Sequence, residues 1–140
     1  MKKILLPILV LLAGAAVGGA GAYGTTVVIG VRDPGAMKTV FVPTGSILTP
    51  LVDPDGRLSG YVSIEAGLEV PEKHAEQIES RLPLLLNAIN MKTFRTPIAS
   101  GKDGLIPNLE GFRRVVHQAA TETFGKDVVV RAVVTKASPI

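Results

Sequence analysis

Leu58-Ser59-Gly60-Tyr61-Val62-Ser63-Ile64-Glu65-Ala66-Gly67-Leu68-Glu69-Val70 alternates without a break. Leu58, Gly60, Val62, Ile64, Ala66, Leu68 and Val70 fall on one side, and Ser59, Tyr61, Ser63, Glu65, Gly67 and Glu69 on the other. Apolar or small residues at period two predict a long strand with one buried face. Just before it stands Asp53-Pro54-Asp55-Gly56. Proline suits the first corner of a turn, and glycine takes a positive φ without a side-chain clash. Upstream of the turn, Thr39 to Val42 and Ser46 to Val52 are β-rich. Pro50 brings no N–H to a ladder, which confines the second run to an edge or a bulge. The expectation is an antiparallel hairpin across the Asp-Pro-Asp-Gly turn.

Beyond the hairpin the period changes. Pro71-Glu72 opens a helix, with Glu72 and Glu76 near its positive end. Ala75, Ile78, Leu82, Leu85 and Ile89 recur at helical spacing. Pro83 lacks an N–H and crowds the preceding turn, so it predicts a kink or two helices meeting near Arg81. Phe94 closes this region before Pro97, and Ser100 to Gly104 reads as a loop. Asn108 is the expected N-cap of a further helix. Its apolar face is Leu109, Phe112, Val116, Ala119 and Thr123, with Gly125 just past its end. Asp127 to Thr135 is rich in β-branched residues and is expected to form a second major strand. Strand, strand, helix, helix, strand is an α+β order: a small antiparallel sheet with helices packed on one face.

The other end of the chain differs in kind. Lys2 and Lys3 precede 28 residues, Ile4 to Val31, without one charge. As a helix this run would reach about 42 Å, against a hydrocarbon core of about 30 Å. Gly14 and Gly18 sit one turn apart, a spacing that lets helices approach closely. Two readings compete: a retained transmembrane helix, or a signal peptide cleaved at Ala20-Gly21-Ala22 before Tyr23. The Lys pair favours a cytoplasmic N-terminus. The expected organisation is an N-terminal membrane anchor or signal-like segment at 1–31, a short stalk at 32–38 and a folded domain at 39–140.

Composition narrows the chemistry. The 140 residues contain no cysteine, which excludes disulfides, cysteine-bearing zinc sites and thiol nucleophiles. The net charge is +3, but two of those charges belong to the leader. From Arg32 onward 13 basic residues face 12 acidic ones. With no Trp, two Tyr and four Phe, the chain lacks the basic, aromatic surface of a nucleic-acid binder.

No phosphate loop, dinucleotide fingerprint, zinc-protease helix or nucleophile elbow occurs. His74, between Glu72 and Glu76, and His117, beyond Arg113 and Arg114, read as solvated helix residues. Asp53 and Asp55 are explained by the turn rather than by a calcium loop, since Arg57 and Leu58 stand where further oxygen ligands are needed. Glu65 and Glu69 belong to the polar side of the strand, and Arg113-Arg114 to a solvated helix face or to an acidic partner. No nucleophile, base and orienting group assemble, so no catalytic, cofactor-binding or metal-ligating residue and no cofactor is assigned. A small hydrolase is the weakest of the function classes for the same reason.

The ordered set resembles a known family. A Lys-led apolar segment is followed by Phe41-Val42-Pro43, Ile47-Leu48-Thr49-Pro50-Leu51-Val52 and Asp55-Gly56-Arg57. Tyr61 to Val70, a helix with Arg81-Leu82-Pro83, and a last helix and Val-rich strand complete it. This resembles the flagellar basal-body-associated FliL family, especially its shorter alphaproteobacterial-type members. The stalk is shorter than is common there, Leu51-Val52 replaces the usual Asn-Leu step, and the tail Thr135 to Ile140 lacks the usual aromatic or Gln-bearing end. The resemblance implies a stomatin-like periplasmic domain on a single-pass inner-membrane anchor. It also implies a non-enzymatic role in motility, with the inner membrane, other copies of the chain, and flagellar stator and basal-body proteins as partners, and no nucleic acid. The alternative is a cleaved, soluble periplasmic binding or adaptor module with no flagellar role.

Overall fold

The computed structural model describes residues 35–140. The hairpin forms as expected. Strand β1, Thr39–Val52, pairs antiparallel with β2, Leu58–Pro71. At the turn the Asp53 N–H donates to the Arg57 carbonyl and the Gly56 N–H to the Asp53 carbonyl, both at 2.9 Å. Gly56 takes φ +82°, the conformation for which glycine is suited.

A single 3-10 turn, Glu72–His74, leads into α1, Ala75–Ser80, and α2, Leu82–Thr93. The two helices meet at Arg81 (φ −107°, ψ 11°), two residues before Pro83. The guanidinium of Arg81 lies 5.8 Å from the centre of the Phe124 ring, tying this joint to the end of the last helix. That helix is α3, Leu109–Phe124. Its first turn is capped by the Asn108 side chain, which accepts from the Gly111 N–H at 2.8 Å.

The last strand is displaced from its expected place. Strand β5, Arg131–Pro139, begins four residues after Asp127 and runs beyond Thr135. Asp127 sits at φ +66°, which breaks an extended conformation at the start of the β-branched run. Val129 is buried in the core without a ladder position, and the Val130 N–H makes the first contact, to the Glu69 carbonyl at 2.8 Å. A short hairpin also occupies the expected loop: β3, Ala99–Ser100, pairs with β4, Ile106–Pro107.

The main sheet has the order β1-β2-β5, all antiparallel, with the strongly alternating strand in the centre. Val42 lies opposite Leu68, Ile47 opposite Ile64 and Ala132 opposite Leu68. These side chains form one buried cluster with Ile78, Leu85, Ile89, Phe112, Val116 and Ala119 from the three helices. The fold is α+β, with the helices on one face of the sheet. Helix α3 turns a slightly different side inward than its spacing predicts. Val115 and Ala120 are buried, whereas Leu109 is exposed.

Both partners of β2 bulge at the same place. Strand β1 inserts one residue between Pro43 and Ser46, and β5 inserts one between Val134 and Lys136. The insertion in β1 changes which residues face inward, from Val40 and Val42 to Ile47, Thr49 and Leu51. Both outer strands thus carry prolines and bulges, which oppose strand-to-strand aggregation.

The single-pass inner-membrane placement needs correction. Among the described residues no helix is long and apolar enough to cross a membrane. The anchor, the alternative cleavage site and the first three residues of the stalk, 32–34, lie outside the described residues.

Candidate functional site

Among the described residues, the helices cover one sheet face and leave the other open. Along the open face Phe41, Leu48 and Tyr61 are 55%, 56% and 43% exposed. The Phe41 ring and Val133 close over Gly67, where a Cβ would lie 3.6 Å from the ring and 3.5 Å from the valine methyl. This is an aromatic filling the space left by a glycine on a neighbouring strand. At the β1 edge the open face continues onto α2. Ser46, Ile47, Leu48, Tyr61, Leu86, Asn90 and Phe94 line a groove of about 310 Å³. Phe94, expected only to end a helix, is 62% exposed there.

The charges along this face are paired. Glu69 accepts a hydrogen bond from the Thr39 hydroxyl at 2.8 Å and forms an ion pair with Arg131. The Thr39 hydrogen bond first, and Arg131 second, hold its carboxyl below the ordinary carboxylate range. Glu65 faces Lys136 at 3.8 Å. Ser46 and Ser63 share a hydrogen bond between them. The two glutamates therefore serve cross-strand pairing, the sheet's own stabilising contacts.

The turn aspartates behave as their position predicts. Asp53 accepts from the N–H groups of Asp55 at 3.0 Å and Arg57 at 2.8 Å, and from the Arg57 guanidinium at 3.1 Å. The Arg57 N–H bond is the chief cause of its lowered pKa. Asp55 lies 3.5 Å from the same guanidinium. These residues border a polar cleft of about 700 Å³ between the β1–β2 turn and the β3–β4 hairpin. Its walls include Ser59, Lys102 and Asp103. Sequence reasoning missed this cleft because it depends on a two-residue hairpin with no period of its own.

Arg113, Arg114 and His117 do come together. They line a groove of about 280 Å³ with Gln118, Val130 and Arg131. Arg113 is held by Glu110 through two bonds, at 3.0 and 2.6 Å. That contact lowers the pKa of Glu110 and raises that of Arg113. Arg131 is engaged by Glu69, whereas Arg114 makes no ion pair among the described residues. The contribution of Arg131 was not legible from spacing, since it arrives from another element. His74 stays apart from His117, on the 3-10 turn. Among the described residues no three His, Asp or Glu side chains gather as a metal-binding group.

The chain matches no family model, no curated protein and no solved structure. The fold and these surfaces therefore carry the functional argument.

Proposed function

We propose that the chain is a non-enzymatic assembly module of the FliL type, acting beside the flagellar stator by contact rather than by chemistry. The supporting observation is the open sheet face. Phe41, Leu48, Tyr61 and, around the edge, Phe94 expose apolar surface on a frame held by cross-strand pairs. Exposed apolar surface rimmed by polar groups is characteristic of protein docking. The order hairpin, broken helix, helix and strand supports a stomatin-like architecture. Self-association belongs to the same reading, since a module repeated around a machine needs contacts between neighbours.

A photo-crosslinking residue at Tyr61 in the full chain, expressed in the flagellated bacterium, tests this. The reading expects covalent capture of a stator or basal-body subunit. Labelling of small metabolite-processing enzymes, or no adduct with any motor subunit, contradicts it.

A further inference from the structure

We propose that the groove between β1 and α2 holds a proline-rich segment of a partner protein, bound in the polyproline II conformation. The proposal names the occupant of the docking face described above and rests on that reading.

Two parts of the fold build the groove. The bulge between Pro43 and Ser46 turns Ile47 and Thr49 inward, so Leu48 points outward. Leu48 pairs with Ser63, which makes Tyr61, two residues away on β2, its diagonal neighbour. Helix α2 and its C-cap bring Leu86, Asn90 and Phe94 to the same place, at i, i+4 and i+8 on one side of the helix. Leu48, Tyr61 and Phe94 all stay exposed.

The lining combines apolar surface with hydrogen-bond donors and carries no acidic or basic side chain. Leu48, Leu86 and the rings of Tyr61 and Phe94 supply the surface. Ser46 is already bonded to Ser63. The Thr93 hydroxyl takes the Asn90 carbonyl, and neither the Asn90 side-chain amide nor the Tyr61 hydroxyl has a partner among the described residues. A proline-rich segment is the complement. Its rings are compact apolar blocks that pack on aromatic faces, its carbonyls accept, and it has few N–H groups that need an acceptor. It is extended before it binds, so docking in a shallow groove of about 310 Å³ costs little ordering.

Other occupants fit less well. Strand addition at this edge is opposed, because Pro43 and Pro50 present no N–H and the bulge breaks the register between them. An acidic or basic segment finds no opposite charge among the lining residues. An apolar helix face keeps its carbonyls bonded within itself, and would cover the Tyr61 and Asn90 donors without giving them acceptors.

The chain's four phenylalanines, Phe41, Phe94, Phe112 and Phe124, all lie among the described residues, so each fluorine signal reports on a known place. The full chain is labelled with 4-fluorophenylalanine, and the Phe94 resonance is assigned by its loss in Phe94→Leu. Adding end-capped decaproline should shift the Phe94 signal saturably and leave that of the buried Phe112 in place. Tyr61→Ala should weaken binding about tenfold or more, and Asn90→Leu several-fold. Tyr61→Phe, which keeps the ring, should fall between the parent chain and Tyr61→Ala. Met91→Ala, on the same helix outside the groove, should leave binding unchanged. A circular dichroism spectrum matching the parent shows that the Tyr61→Ala chain is folded. No Phe94 shift at millimolar decaproline, or an equal shift with an end-capped amphipathic helical peptide, overturns the proposal. If the Tyr61 photo-crosslink then still captures a motor subunit, the docking reading stands without its proline-rich occupant. A decaproline shift without any motor adduct supports the groove's chemistry and overturns the stator assignment.

Discussion

The Thr44 hydroxyl occupies a ladder position opposite Ala66. It accepts the Ala66 N–H at 3.1 Å and lies 3.1 Å from the Ala66 carbonyl oxygen. At the bulge the backbone of β1 skips a partner, and a side chain supplies the missing acceptor. Thr135 supplies the complementary partner from the other side, its hydroxyl donating to the Glu65 carbonyl at 3.1 Å. At the two bulges, threonine hydroxyls thus take up the Ala66 N–H and the Glu65 carbonyl.

Thr44→Val keeps the shape and removes the hydroxyl. The buried Ala66 N–H then loses its acceptor, a loss of about 1–3 kcal/mol. Urea unfolding should show a lower midpoint for the valine variant and a near-normal one for Thr44→Ser. Equal midpoints for Thr44→Val and the parent chain would contradict this role.

Phe112 is fully buried between α3 and the sheet. Phe112→Ala removes the ring and leaves a cavity, so a loss of about 3–5 kcal/mol is expected. In a domain of about 100 residues each kcal/mol moves the melting temperature by roughly 4–8 °C. Thermal unfolding followed by circular dichroism measures it. Leu109→Ala, on the exposed side of the same helix, should change the midpoint far less.

Asn108→Ala should cost about 1 kcal/mol by leaving the Gly111 N–H uncapped, whereas Asn108→Asp keeps the acceptor. Gly111→Ala should lose less than Asn108→Ala, because alanine's helix preference offsets the crowding of the cap. Its Cβ would come within 3.1 Å of the Asn108 side chain and push the cap aside. Guanidinium unfolding of the three variants ranks them, and an Asn108→Asp chain no more stable than Asn108→Ala would count against the cap.

Glu69 gives the fold a pH dependence of definite sign. Its carboxyl is held below the ordinary range in the folded state, first by Thr39 and then by Arg131. A depressed carboxylate contributes stability above its unfolded pKa and loses it as the pH falls through the folded value. The gap between the parent chain and Glu69→Gln should be open near neutral pH and close in acid, below the usual carboxylate range. Melting temperatures measured across that interval test it, and a gap of constant size would exclude the assignment.

The hairpin was legible because Leu58 to Val70 repeats at a single period and Asp53 to Gly56 supplies the only geometry the turn needs. The joint at Arg81 was legible because Pro83 removes one hydrogen bond at a fixed place. Strand β5 was not. Thr135 to Pro139 buries almost nothing, so no apolar period marks it. Val128 to Val130 precedes the ladder despite its β-branched residues, with Val129 in the core and Val130 exposed. Of the candidate surfaces, Arg113, Arg114 and His117 lie on one helix and could be grouped from spacing. Arg131 joins them only through the pairing of β5 with β2. The groove between Leu48 and Phe94 likewise depends on how α2 sits beside the β1 edge.

The proposed role is tested most directly by motility. Deleting the gene in its native host and measuring swimming in soft agar alongside growth in liquid culture tests it. Reduced swimming at unchanged growth rate, restored by the full chain supplied in trans, is the expected result. A deletion strain that swims and swarms like its parent would contradict it.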